Sequence, residues 1–302
     1  MLLITIWPIF ALICLGFVLS RRDFPSGPFW PAAERLNYFV LFPALLVSSL
    51  ANAPVRDPDL LRFGGAAAVT IFVAAVLLTV ARRVRPVTPA RFGPMLQGVV
   101  RFNTYLSLAL IAILTGDAGV ERAAVYLAIC VPLVNVLSIL ALSGGGASRS
   151  PMRLVRTVLA NPLILACLAG FALALGGIGL PLGSGDLLRL LGQASLPLGL
   201  LCVGAALNPA ALRQDMAPLS LVGGARLLAM PALAAATGHT FGLAGIEIAV
   251  LVIFSAVPTA PTSYVLTRQM GGDGALMAGI VTSQTLAALA TIPLVLLLLA
   301  GL

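Results

Sequence analysis

Runs of about twenty apolar residues follow one another along almost the whole chain, roughly ten of them, joined by short connections. They read as spans at about 2–20, 31–52, 62–81, 93–115, 119–142, 158–179, 186–207, 217–238, 244–268 and 274–300. Hydrocarbon offers no water to a free N–H or C=O, so a crossing segment must satisfy its backbone internally, as helix. The pattern predicts an all-α membrane protein with ten transmembrane helices and no room for a sizeable soluble domain. At 60% hydrophobic and 9% charged residues, the composition excludes an ordinary soluble protein.

All 18 basic residues are arginine, and the net charge is +8. Most of that charge falls between spans, where it orients a membrane protein and does not imply nucleic acid. The first span has no basic residues before it and Arg21-Arg22 after it, so it reads as retained, with its N-terminus outside. The inside connections then carry Arg21, Arg22, Arg35, Arg82, Arg83, Arg85, Arg91, Arg149, Arg153, Arg156, Arg213 and Arg268. The outside ones carry only Arg56, Arg62, Arg122 and Arg189, which predicts both termini outside. Cys14, Cys130, Cys167 and Cys202 lie within apolar runs and read as small packing residues, with neither disulfide nor metal-ligand spacing.

Within the ninth span stands Ser255-Ala-Val-Pro258-Thr259-Ala-Pro261-Thr262-Ser263-Tyr264. Proline lacks an N–H and clashes with the carbonyl one turn back, so two of them three residues apart break the helix. Backbone freed at that depth needs protein or a water-filled cavity around it. Thr259, Thr262, Ser263 and Tyr264 can satisfy it, or can hold a ligand.

The two halves of the chain resemble each other. A shift of 154 aligns Gly16-Phe17 with Gly170-Phe171, Arg35-Leu36 with Arg189-Leu190, and Pro43 with Pro197. A shift of 159 aligns Gly64-Gly65-Ala66 with Gly223-Gly224-Ala225 and Thr104-Tyr105 with Ser263-Tyr264, and 161 relates Pro132 to Pro293. Five spans per half is an odd number, so the second copy enters the membrane inverted. That is the 5+5 plan of secondary transporters, with the site where discontinuous helices meet at the midplane. The expected divisions are a first repeat at 1–142, a cytoplasmic linker at 143–157 and a second repeat at 158–302. The proline break then stands opposite Arg101-Phe102-Asn103-Thr104-Tyr105 in the fourth span.

Leu15-Gly16-Phe17, Leu36 to Leu46, Arg101 to Tyr105 and Val257 to Tyr264 together resemble the auxin efflux carrier family, as do Gly271-Gly272-Asp273 and Thr291-Ile292-Pro293-Leu294. The resemblance covers essentially the whole chain. It implies a scaffold of helices 1, 2, 6 and 7, a transport part of helices 3–5 and 8–10, and a substrate site at crossed, broken helices 4 and 9. It further implies elevator-like alternating access and small organic anions as substrates, carboxylates in bacterial members. Phe102 stands where the family pattern has proline, so the first break rests on Asn103.

Arg101 lies about ten residues into its span, roughly 15 Å deep, and Arg226 is similarly deep in the eighth. A charge there costs at least ~2.5 kcal/mol, so it marks a pathway or a fixed partner. Each guanidinium can hold a carboxylate or bridge backbone carbonyls. Asn103 offers donors and an acceptor at the crossing. Asn103, Arg101, Tyr105, Pro258, Thr259, Pro261, Thr262, Ser263 and Arg226 form the expected substrate-binding set. Glu247 reads as a proton carrier or an interfacial carboxylate, and His239, the lone histidine, as interfacial.

No HExxH, GxSxG, P-loop or Cys/His cluster is present, so the chain is not expected to be an enzyme, and no cofactor or metal is expected. Without an ATP motif, transport is secondary, with H⁺ or Na⁺ as candidate coupling ion and a mono- or dicarboxylate as partner. The alternatives are a sodium-coupled symporter of the bile-acid type, and a membrane receptor or intramembrane enzyme. The expected setting is a bacterial inner membrane, with a homodimer as candidate assembly.

Overall fold

A computed structural model describes residues 2–51, 58–143, 162–180, 183–213 and 215–299. Apart from Ser143, the expected linker at 143–157 lies outside the described residues. The described chain is helical, with no strand. Helices α1 (Leu2–Arg21), α2 (Phe29–Leu36), α3 (Phe42–Leu50), α4 (Pro58–Val84), α5 (Pro89–Val100) and α6 (Thr104–Leu142) come first. After the linker follow α7 (Pro162–Leu175), α8 (Ser184–Ala205), α9 (Met216–Gly224), α10 (Met230–Thr240), α11 (Gly245–Ala256), α12 (Thr262–Gln269) and α13 (Gly274–Leu299). Among the described residues five helical stretches are long and apolar enough to cross a membrane by length and composition, one of them, Pro89–Leu142, comprising α5 and α6.

Two local departures from α-helix have a common cause. α2 joins α3 through a π-helical turn at Asn37–Leu41, and α9 joins α10 through another at Ala225–Ala229. Pro43 and Pro231 follow within two residues. Each ring would strike the carbonyl four residues back, at Phe39 and Leu227. A wider turn makes room, and Phe42 N–H and Met230 N–H reach back to Asn37 and Ala225, five residues away. Such turns splay side chains from the regular face, and the first carries Asn37 and Tyr38, the second Arg226. Asn37 is fully buried and exchanges two hydrogen bonds with Ser195 of α8: Nδ2 to the carbonyl at 3.0 Å, and Ser195 Oγ to Oδ1 at 2.7 Å.

On α4 most of the outward side chains are large and apolar and most of the inward ones are small, Phe63 and Ile71 being among the buried exceptions. Val69, Phe72, Val76, Leu77 and Val80 are exposed, while Ala66, Ala67, Ile71, Ala74 and Ala75 are buried. That inversion suits lipid, which solvates Leu and Phe and leaves close backbone approach to small residues. The closest approach joins α1 to α8. A Cβ on Gly16 would lie 2.0 Å from the carbonyl oxygen of Leu201, and one on Gly204 1.9 Å from that of Ile13. α1, α3, α7 and α8 pack on one another, and α4, α5, α6, α10, α11 and α13 surround the two breaks. Inside α6, Gly116 (φ 64°, ψ −157°) interrupts the helix between the expected fourth and fifth spans, a conformation that costs a side-chain-bearing residue strain.

Candidate functional site

Both expected breaks exist as non-helical backbone. α5 ends at Val100 and α6 begins at Thr104; α11 ends at Ala256 and α12 begins at Thr262. The second break follows from Pro258 and Pro261. The first has no proline. There, Phe102 sits edge-on to Tyr126 and Phe254, each at 5.2 Å, and those two rings stack at 4.0 Å. Asn103 N–H donates to the carbonyl of Pro258 at 2.8 Å, joining one break directly to the other. A buried aromatic wedge and one cross-break hydrogen bond hold the α5 end open where proline would otherwise do it.

The carbonyls that these breaks leave without helical donors are met one by one. Pro258 cannot donate to Phe254, nor Pro261 to Val257. Arg226, 1% exposed in its π turn, donates Nη2 to the carbonyl of Phe254 and Nε to that of Val257 at 2.7 Å. Its Nη1 reaches Val99 of α5 at 2.9 Å. Gln284 of α13 accepts from Thr259 N–H at 2.9 Å and donates to the carbonyl of Gly98 at 2.8 Å. Thr259 Oγ1 donates to the carbonyl of Gln97 at 3.1 Å and lies 3.4 Å from Ser263 Oγ. Gln97 Nε2 donates to Thr267 Oγ1 at 3.0 Å. Buried polar groups are tolerated at this depth because they are paired.

Two buried donors beside the breaks are not, Ser255 Oγ and Asn103 Nδ2. Asn103 caps α6, its Oδ1 accepting from Leu106 N–H at 3.2 Å, which fixes the amide orientation. Its Nδ2 is buried and has no hydrogen-bond partner. An orphaned buried donor costs about 1–3 kcal/mol. Beside it the N-terminus of α6 turns Thr104 and Tyr105 N–H groups and the positive end of the helix dipole toward the same space.

That space is a small cavity of about 60 Å³ with an open mouth. Arg101, Asn103, Tyr105, Pro261 and Thr262 of the expected set line it. Arg101 donates Nη1 to Gln97 Oε1 at 3.3 Å. Pro258, Thr259, Ser263 and Arg226 do not line it; they stand behind it, in the network that shapes the breaks. Tyr105 packs edge-on to Phe42 at 5.3 Å and against Gly199 of α8. The opposite wall brings in Glu34 and Tyr38, and α6 returns with Asn135.

Sequence reasoning missed Glu34, Gln97, Asn135 and Gln284. Each is a polar side chain inside an apolar run, and that alone was the available signal. Glu247 pairs with Arg122 at 2.8 Å, and His239 is exposed in the last turn of α10. Among the described residues no group of three or more His, Cys, Asp or Glu could hold a metal ion.

Comparison with known proteins gives the same direction. Residues 148–296 match the family described as membrane transport protein. An uncharacterized transporter of Methanothermobacter thermautotrophicus is 25% identical over 295 residues, covering 96% of each chain. The second half of the chain is thus similar to membrane transport proteins, in keeping with the resemblance to auxin efflux carriers. A second relative, from Rhizobium meliloti, is provisionally named a malonate transporter; it is 26% identical over 278 residues, 87% of this chain and 85% of its own. Members of this family are transporters and not enzymes, so the absence of a catalytic motif has its explanation.

Proposed function

We propose that this carrier moves small organic anions, mono- or dicarboxylates, by elevator-like alternating access in a bacterial inner membrane, with both termini outside. Its ten spans form two inverted five-helix repeats. Helices 1, 2, 6 and 7 are the scaffold, and helices 3–5 and 8–10 move the site formed where the broken fourth and ninth cross. The observation that carries the reading is the unpartnered Asn103 Nδ2, buried in a cavity that also holds Arg101 and the N-terminus of α6. A carboxylate there would accept from Asn103, meet the helix dipole and lie within the field of Arg101. The relative provisionally named for malonate transport makes a short dicarboxylate the first substrate to try.

Purified carrier in liposomes preloaded with malonate should take up labelled malonate by counterflow. Asn103→Ala removes a hydrogen bond to a charged group, worth roughly 1.5–3 kcal/mol. Affinity should fall about tenfold to a hundredfold. Asn103→Asp keeps the capping oxygen but replaces the donor by a carboxylate, so it should fold and bind no anion. Wild-type affinity in both variants would move the site elsewhere. Vesicles that accumulate no mono- or dicarboxylate under any H⁺, Na⁺ or exchange gradient would overturn the function.

A further inference from the structure

The cavity holds a second charge for which anion binding alone has no use. Glu34 of α2 is the only acid among the lining residues, and Arg101 is the only base. No ion pair joins Glu34 to Arg101 or to another described cation, in contrast to Glu247, whose carboxylate is held by Arg122 at 2.8 Å. Around Glu34 the cavity presents Tyr38 from the π turn, Tyr105 from α6, Cys202 from α8 and Arg101 from the first break. Its neighbour Arg35 is exposed, outside that lining. Much of the remaining wall is apolar, including Phe42, Val131, Val134 and Leu163.

Charge balance then constrains the loaded state. When empty, the cavity contains one guanidinium and one carboxylate, which sum to zero. A monocarboxylate entering beside Asn103 makes the sum −1, and a dicarboxylate such as malonate makes it −2. One proton on Glu34 brings these back to zero and to −1. We propose that Glu34 is the proton-carrying group of this transporter, so that anion binding and protonation of Glu34 are linked and the carrier is an H⁺/anion symporter. This rests on the anion site proposed above. The proton comes from the medium on the side to which the cavity opens and returns to the opposite medium when the anion leaves. Only the Glu34 O–H bond forms and breaks. Glu247, the acid that sequence position first suggested for this task, is already neutralised by Arg122.

The test measures malonate affinity of the detergent-solubilised carrier at pH 5.5 and pH 8, for wild type and Glu34→Gln. The variant experiences the same titration of malonate itself, so the difference between the two proteins isolates Glu34. Wild type should lose about tenfold more affinity than Glu34→Gln across that interval, the size expected for two like charges some 10 Å apart at an effective dielectric near 20. Glu34→Ala should repeat the result if Gln disturbs folding. In liposomes, malonate entry through wild type should acidify a trapped pH dye, and through Glu34→Gln should not. Equal pH dependence in wild type and both variants, or dye acidification that survives in Glu34→Gln, would overturn the proposal. Failure of wild type to bind malonate at either pH would instead count against the anion site.

Discussion

Pro258 and Pro261 each leave one carbonyl a turn back without an amide donor, and the guanidinium of Arg226 donates to both, at Phe254 and Val257. A third N–H holds Val99, so the same side chain ties the end of α5 to the second break. Arginine suits this because its fork is planar and stays charged, and lysine could not span three carbonyls from one nitrogen. Arg101 lies at comparable depth, yet among the described residues its side chain makes a single 3.3 Å hydrogen bond, to Gln97, and it borders the cavity. Arg226→Met orphans three buried carbonyls at about 1–3 kcal/mol each. It should clearly lower the thermal unfolding midpoint in detergent, whereas Arg101→Met should lower it much less while weakening anion binding. Equal midpoints for the two variants would mean that the carbonyls find other donors. In the sequence these arginines are indistinguishable, since each is one charge mid-way through an apolar run. What separates them is which neighbours lack donors, and only the packed breaks reveal that.

The two breaks differ in how they are encoded, and that difference sets what could be read in advance. Pro258 and Pro261 state theirs locally, in two residues that cannot complete a helix. The break at 101–103 is made at long range, by Phe102 wedged between Tyr126 and Phe254 and by Asn103 N–H reaching Pro258. Asn103 marked the place of the first break, but nothing near it announced the partners. Likewise the apolar runs announced helices, while the π turns before Pro43 and Pro231 needed the ring-to-carbonyl clash to be resolved one way among several. Gln97 and Gln284 were invisible as site builders because key partners lie far off in sequence: the Thr267 hydroxyl for Gln97, and Thr259 N–H and the Gly98 carbonyl for Gln284. A double-mutant cycle tests the coupling at the second break. Pro258→Ala restores an N–H that can reach Phe254, so α11 can extend by a turn over the site. Losing Arg226 should then cost less in the Pro258→Ala background than in wild type, by roughly 0.5–3 kcal/mol. Malonate transport should fall in Pro258→Ala while the protein stays folded. Strict additivity of the two unfolding effects would show that Arg226 does not stand in for the missing amide.

For an elevator to work, one set of helices must stay locked while the other slides past it, and the two kinds of contact should be physically different. α1 and α8 meet backbone to backbone at Gly16 and Gly204, with no space for even a methyl group. α3 and α8 also meet near the backbone, a Cβ on Gly192 lying 3.1 Å from Cα and 3.3 Å from Cβ of Leu45. Between α8 and α6 the contact is instead Gly199 under the ring of Tyr105, where a Cβ on Gly199 would lie 2.6 Å from the first ring atoms. A flat ring over a glycine offers little to interlock, which is what a sliding surface requires. Cysteines at 105 and 199 would have Cβ atoms within about 4 Å, in the range of a disulfide; losing the ring removes its clash, and Asn37 Nδ2, 2.9 Å from the new Cβ, must give slightly. With Cys14, Cys130, Cys167 and Cys202 replaced, oxidation of Tyr105→Cys/Gly199→Cys should stop malonate counterflow, and reduction should restore it. Oxidation of Leu45→Cys/Gly192→Cys joins two helices of the proposed scaffold and should leave the reduced and oxidised rates equal. If the 105–199 cross-link forms fully and transport continues at the reduced rate, α6 does not move against α8, and the carrier alternates access by some other motion.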